Sequence, residues 1–162
     1  MITLILGGAR SGKSEAAERV AGRLGHTVTF VATGWAHDAE MAERIAIHRR
    51  RRPASWSTVE VDDGLAVALA ALDGPVLVDA LGTWLARRAH FEIDAGELCR
   101  ALSERRGDTV VVSDEVGMGV HPSSETGRRF RDALGVLNHR VADVSDQVLL
   151  VMAGRVLHLD RP

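Results

Sequence analysis

Residues 2–14 read ITLILGGARSGKS, and this stretch decides the fold. Ile2 to Leu6 is almost continuously apolar, which marks a strand buried on both faces. The next residues, Gly7, Gly8, Ala9, Arg10, Ser11, Gly12, Lys13 and Ser14, fit G-x-x-x-x-G-K-[ST] without a gap. Gly7 and Gly12 let the backbone turn tightly, so that amide N–H groups point at phosphate oxygens. A helix beginning near Lys13 adds its positive N-terminal end. Lys13 suits the β- and γ-phosphates of GTP or ATP, and the Ser14 hydroxyl suits Mg²⁺. A glycine-rich turn that merely happens to carry Lys-Ser is the plain alternative, and it explains neither the strand before nor the helix after.

Outward from this loop, apolar runs alternate with helical patterns, as in a largely parallel sheet covered on both faces. Ser14 to Leu24 reads as a helix ended by Gly25, Val28 to Ala32 as a strand, and Ala39 to Arg52 as a helix stopped by Pro53. Ser57 to Glu60 reads as an edge strand, Leu65 to Leu72 as a helix and Val76 to Val78 as a strand. Helices near Leu81 to Arg88 and Ala95 to Arg106 precede the strand Thr109 to Val112 and the loop Ser113 to Pro122. In the long helix from Ser124 to Val144, Phe130, Leu134, Leu137, Val141 and Val144 step by four and three and so share a face. Val148 to Met152 and Val156 to Leu159 form a hairpin through Ala153-Gly154-Arg155. The expected fold is α/β and P-loop NTPase-like (RecA-like), with a mostly parallel sheet, helices on both faces and a C-terminal antiparallel edge hairpin. No repeat or linker interrupts the chain, so residues 1–162 read as a single nucleotide-binding domain.

The formal net charge of −2 gives no general attraction to nucleic acid or to an anionic membrane. No apolar stretch approaches the ~20 residues of a membrane helix, and no secretory leader is visible. One cysteine, Cys99, cannot form an internal disulfide. Its plain reading is a small, half-buried apolar side chain. A cytoplasmic protein without nucleic-acid or membrane partners is expected.

Asp79 ends the run Val76-Leu77-Val78, where a parallel strand delivers a side chain to the ligand edge, and it is a second candidate for Mg²⁺. It could instead cap the helix beginning at Leu81. Asp114 and Glu115 end the next such strand, open to a role at the metal, as a base, or in the loop's own hydrogen bonding. In the helix ending at Arg52, Met41, Ile45 and His48 share a face, a pattern that by itself suits a packed histidine. Arg49, Arg50, Arg51 and Arg52 spread around a full helical turn, so one or two of them could reach a polyphosphate.

Several segments, in order, resemble the bifunctional adenosylcobinamide kinase / adenosylcobinamide-phosphate guanylyltransferase family. They are GGARSGKS (7–14), VATG (31–34), DAEMAERIAIH (38–48), Arg52-Pro53, WSTVE (56–60), VDALGTW (78–84), SDEVGMGVHP (113–122) and RFRD (129–132), with Gly135, Asn138 and Val141-Ala142. The resemblance implies two reactions: phosphorylation of the aminopropanol hydroxyl of adenosylcobinamide by a nucleoside triphosphate, then transfer of GMP from GTP to that phosphate. It implies a covalent histidine intermediate, which falls on His48 and reverses the reading from spacing alone. It also implies nucleotide contacts from Gly7 to Ser14, Ala32, Thr33, Gly34, Arg49 to Arg52, Glu60 and Asp79, and assembly as a homotrimer. Asp114, His121 and His139 depart from the family pattern, where Asn, an apolar residue and Gln are common. Other readings are a different small-molecule P-loop kinase, with His48 only packing, and a non-catalytic nucleotide switch.

Overall fold

The computed structural model describes residues 1–34, 43, 46–47 and 49–161. One seven-stranded sheet runs through it in the order β3-β2-β4-β5-β1-β6-β7. The strands are β1 (Ile2–Gly7), β2 (Thr29–Ala32), β3 (Ser57–Glu60), β4 (Val76–Asp79), β5 (Thr109–Asp114), β6 (Gln147–Met152) and β7 (Arg155–His158). All neighbours pair in parallel except β6 with β7, which is antiparallel. β1 is therefore flanked by β5 and β6, with β5 intercalated between β1 and β4. The C-terminal hairpin closes one edge through a two-residue turn in which Ala153 and Gly154 both have positive φ, the twist that suits a tight hairpin.

The helices include α1 (Lys13–Ala21), α2 (Leu65–Ala71), α3 (Leu81–Ala86), α4 (Ala95–Glu104) and α5 (Glu125–Val144). They divide between the two faces as strand alternation demands. Ala16, Ala17 and Ala21 of α1 pack with Ile5, Phe30, Leu77, Val110, Val112, Leu149 and Val151 on one face. On the other, Leu4, Val31, Val76, Val78 and Val111 pack against Leu65 and Leu69 of α2, Leu85 of α3, Leu98 of α4, and Leu134, Leu137 and Val141 of α5. Small alanines on α1 bring the helix following the glycine loop close to the sheet, so the loop is braced by both.

The elements correct the sequence reading at their ends. α1 stops at Ala21, and its C-terminal turn is closed by Gly22 N–H donating to Glu18 O at 2.9 Å. Arg23 and Leu24 follow in tighter i→i−3 turns, so Gly25 does not end the helix. β4 and β5 run on through Asp79 and Asp114, because Ala32 pairs with Asp79 and Gly7 with Asp114 in the ladder. The residue capping α3 is Ala80, not Asp79. Ser124 caps α5, its Oγ accepting from Gly127 N–H at 3.1 Å. Of the helix expected over Ala39 to Arg52, the described residues Glu43, Ala46, Ile47 and Arg49 to Arg51 are helical.

Candidate nucleotide site

Parallel pairing carries the C-terminal ends of β1, β2, β4 and β5 to one edge of the sheet, and the loop from Gly8 to Gly12 sits there above β1. Gly12 adopts φ 92°, the left-handed conformation that glycine reaches without strain. Gly7 is needed for a different reason: a Cβ would clash with Ser11 Oγ and stand 2.8 Å from Val151 O. Ser11 is buried, and its Oγ has no hydrogen-bond partner among the described residues. The turn joining β6 to β7 braces the loop from the side, with Gly154 N–H donating to Ser11 O at 2.9 Å. Gly154 Cα would lie 3.5 Å from a Cβ on Gly12, so two backbones pass closely there.

Lys13 and Ser14 open α1 and reach toward the ends of the neighbouring strands. Lys13 Nζ stands 2.8 Å from Asp114 Oδ1 and donates to Gly8 O at 3.2 Å. Ser14 Oγ stands 3.5 Å from Asp79 Oδ1. The acids that end β4 and β5 are thus divided, one beside the serine and one beside the lysine. Glu115 is otherwise engaged: its carboxylate accepts from Gly117 and Met118 N–H at 2.5 and 3.0 Å, which is the loop's own hydrogen bonding.

The placement of Asp114 is built from several sides. Asn138 on α5 donates from Nδ2 to Asp114 O at 3.0 Å, while its Oδ1 accepts from Ser113 Oγ at 2.6 Å. Gly82 on α3 leaves room for the Asp114 carboxylate, since a Cβ at that position would overlap Oδ2. Neither Asn138 nor Gly82 advertises this role in the sequence, because both act on Asp114 from elements remote in the chain.

Ala32 ends β2 opposite Asp79, and Thr33 and Gly34 follow it directly beside the β4 end. Thr33 is fully buried, and its Oγ1 donates to Ala80 O at 2.7 Å and accepts from Ala80 N–H at 2.9 Å. It thereby fixes the segment after Asp79, while Arg87 donates to Thr33 O at 3.2 Å. Glu60 ends β3, the edge strand, where it pairs with Ala32 and is exposed. In the arginine run, Arg51 Nε stands 3.5 Å from Glu18 Oε2 on α1. The Arg52 guanidinium lies 3.6 Å over the Phe30 ring. Burial lowers the Arg52 pKa, opposed by the nearby carboxylates of Glu18 and Asp79, so this guanidinium lies within the field of the β4 acid. Arg49 and Arg50 are exposed. His48 lies outside the described residues.

A glycine loop between β1 and α1, with acids at the tips of β4 and the intercalated β5, defines a P-loop nucleotide-binding protein of RecA-like architecture. The chain belongs to the cobinamide kinase / cobinamide phosphate guanyltransferase family, whose model matches residues 3–159. It is 42% identical to the bifunctional adenosylcobalamin biosynthesis protein CobP of Pseudomonas aeruginosa, over 95% of this chain and 94% of that one. It is also 36% and 34% identical to the bifunctional adenosylcobalamin biosynthesis proteins CobU of Salmonella typhimurium and Escherichia coli, in each case over 95% of this chain and 97% of the relative. The family expected from the motifs is the one found. No helix among the described residues is long and apolar enough to cross a membrane.

Proposed function

We propose that the chain phosphorylates the hydroxyl of adenosylcobinamide with GTP or ATP and then transfers GMP from GTP to the resulting phosphate through His48. The observation carrying this reading is the juxtaposition of Lys13 with Asp114 and of Ser14 with Asp79 at one sheet edge, in a chain of that family over almost its whole length. The buried, unpartnered Ser11 hydroxyl suits a phosphate oxygen arriving over the loop. Gly7 to Ser14 then cradle the triphosphate, Lys13 balances its terminal charge, and Arg51 or Arg52 approaches from the side of Asp79. Ala32 to Gly34 and Glu60 line the flank where base and ribose would lie.

Ser14 Oγ and Asp79 Oδ1 form an oxygen pair 3.5 Å apart, which fits a small hard cation such as Mg²⁺ completed by phosphate oxygens and water. Once bound, Mg²⁺ supplies charge neutralisation at the phosphates. In the second reaction the His48 imidazole attacks the α-phosphorus, pyrophosphate leaves, and the phosphoramidate passes GMP to the acceptor phosphate. The single sheet supports one domain over 1–162, and we carry the homotrimer and a cytoplasmic setting as part of the same reading.

Incubation with α-labelled GTP and Mg²⁺ followed by denaturation tests it. Acid-labile, alkali-stable label that disappears in His48→Ala is the expected result. Protein that stays unlabelled and also fails to modify adenosylcobinamide overturns the proposal.

A further inference from the structure

We propose that Asp114 competes with the γ-phosphate for Lys13, and so sets how tightly the site takes a nucleoside triphosphate relative to a diphosphate. The inference rests on reading Gly7 to Ser14 as the phosphate site.

Lys13 is the cation that a P-loop offers to the terminal phosphates. Here its ammonium is already paired, 2.8 Å from a carboxylate oxygen, with the two side chains only 13% and 30% exposed. A pair shielded to that degree is less screened by water and salt than one on the open surface. The carboxylate is also held in place. Asn138 fixes the Asp114 carbonyl, β5 pairs Asp114 with Gly7 at the root of the loop, and the missing Cβ at Gly82 provides the space the carboxylate fills. The backbone that carries the carboxylate is therefore fixed beside the root of the loop, which keeps the negative charge close to an arriving phosphate.

Two consequences follow from charge alone. A nucleotide must share or take over a lysine that has a resident anion, which weakens all binding. The γ-phosphate also brings its own charge to the end of the loop that Asp114 occupies, so like-charge repulsion weakens triphosphate binding more than diphosphate binding. Once the terminal group has left, Lys13 re-pairs with Asp114, which favours release of what remains. Among the described residues Asp114 is the acid that pairs with the lysine, while Asp79 lies beside Ser14 and Glu115 is bonded to its own loop amides.

The full chain is titrated with fluorescent GDP and with a fluorescent β,γ-imido analogue of GTP in excess Mg²⁺, comparing wild type, Asp114→Asn and Asp114→Ala, with melts recorded in parallel. Asp114→Asn is expected to tighten the triphosphate analogue about tenfold, equivalent to about 1.4 kcal/mol, and GDP by less; Asp114→Ala should move the same way. Folded variants that bind the analogue no better than wild type overturn the proposal and make Asp114 a helper of phosphate or metal. Wild type that binds neither nucleotide overturns the phosphate-site reading together with it. A measurement on the unmutated protein keeps the test open should both variants misfold. In crystals of the full chain grown with the analogue, Lys13 Nζ should lie on the γ-phosphate and away from Asp114, and a Lys13–Asp114 pair that stays closed beside the bound analogue refutes the competition.

Discussion

Gly7→Ala isolates how tightly the phosphate loop is built. In the native chain, the position a Cβ would take is occupied by Ser11 Oγ, by Val151 O at 2.8 Å and by Lys13 Cβ at 3.3 Å. Ser11 can rotate, but Val151 O belongs to β6, a strand hydrogen-bonded on both sides, and Lys13 is fixed at the start of α1. The backbone must therefore shift. Overpacking of this kind costs about 1–3 kcal/mol. At about 2–4 °C per kcal/mol for a chain of this size, a cost of about 2 kcal/mol lowers the melting temperature by about 4–8 °C. The same shift moves Ser11 and Lys13, so nucleotide affinity should fall by tenfold or more. Gly8→Ala is the control, because nothing lies within 4 Å of its missing Cβ, and its melting temperature should stay within about 1 °C of wild type. Scanning calorimetry with nucleotide titration reads both quantities. If Gly7→Ala melts and binds like wild type, the packing account of the loop is wrong.

Three more predictions test the frame around the site. Gly135 is an exposed residue of α5 whose Cβ would meet nothing within 4 Å, so Gly135→Ala should stabilise by about 0.5–1 kcal/mol in denaturant unfolding. The Arg105 guanidinium donates to Leu72 O and Gly74 O before β4 and to Gly107 O, Asp108 O and Thr109 Oγ1 around the start of β5. A lysine cannot copy that fork, so Arg105→Lys should lose about 2 kcal/mol in the same assay. Burial raises the pKa of the Cys99 thiol, whose Sγ also donates to Arg140 O at 3.3 Å. The folded chain then favours the protonated thiol. Its alkylation at pH 8 should be several-fold slower than that of a free thiol, and the stability it contributes should fade as pH climbs through the thiol range and above.

How far the sequence could be read depended on whether a signal was local. The loop from Gly7 to Ser14 was legible because its chemistry lies in consecutive residues, and Lys13 and Ser14 stand at the sheet edge as that pattern requires. Strand interiors were legible from apolar runs, and the face of α5 from its spacing, with Leu134, Leu137 and Val141 buried as expected. Strand ends were not, because Asp79, Ser113 and Asp114 are polar yet belong to the ladder. Their pairing is decided by neighbouring strands, and apolar periodicity carries no trace of it.

From residue order alone came the phosphate loop, the alternating α/β plan, the closing hairpin and the family, each written in short contiguous segments that need no partner to be recognised. Tertiary structure decided which acid serves which cradle residue: Asp79 beside Ser14, Asp114 beside Lys13, and Glu115 turned back on its own loop. It also decided that Asn138, Gly82 and Gly154 brace the site. Apart from the local turn of Glu115, these pairings join residues tens of positions apart, and the strand order, with β5 inserted between β1 and β4, brings them within reach.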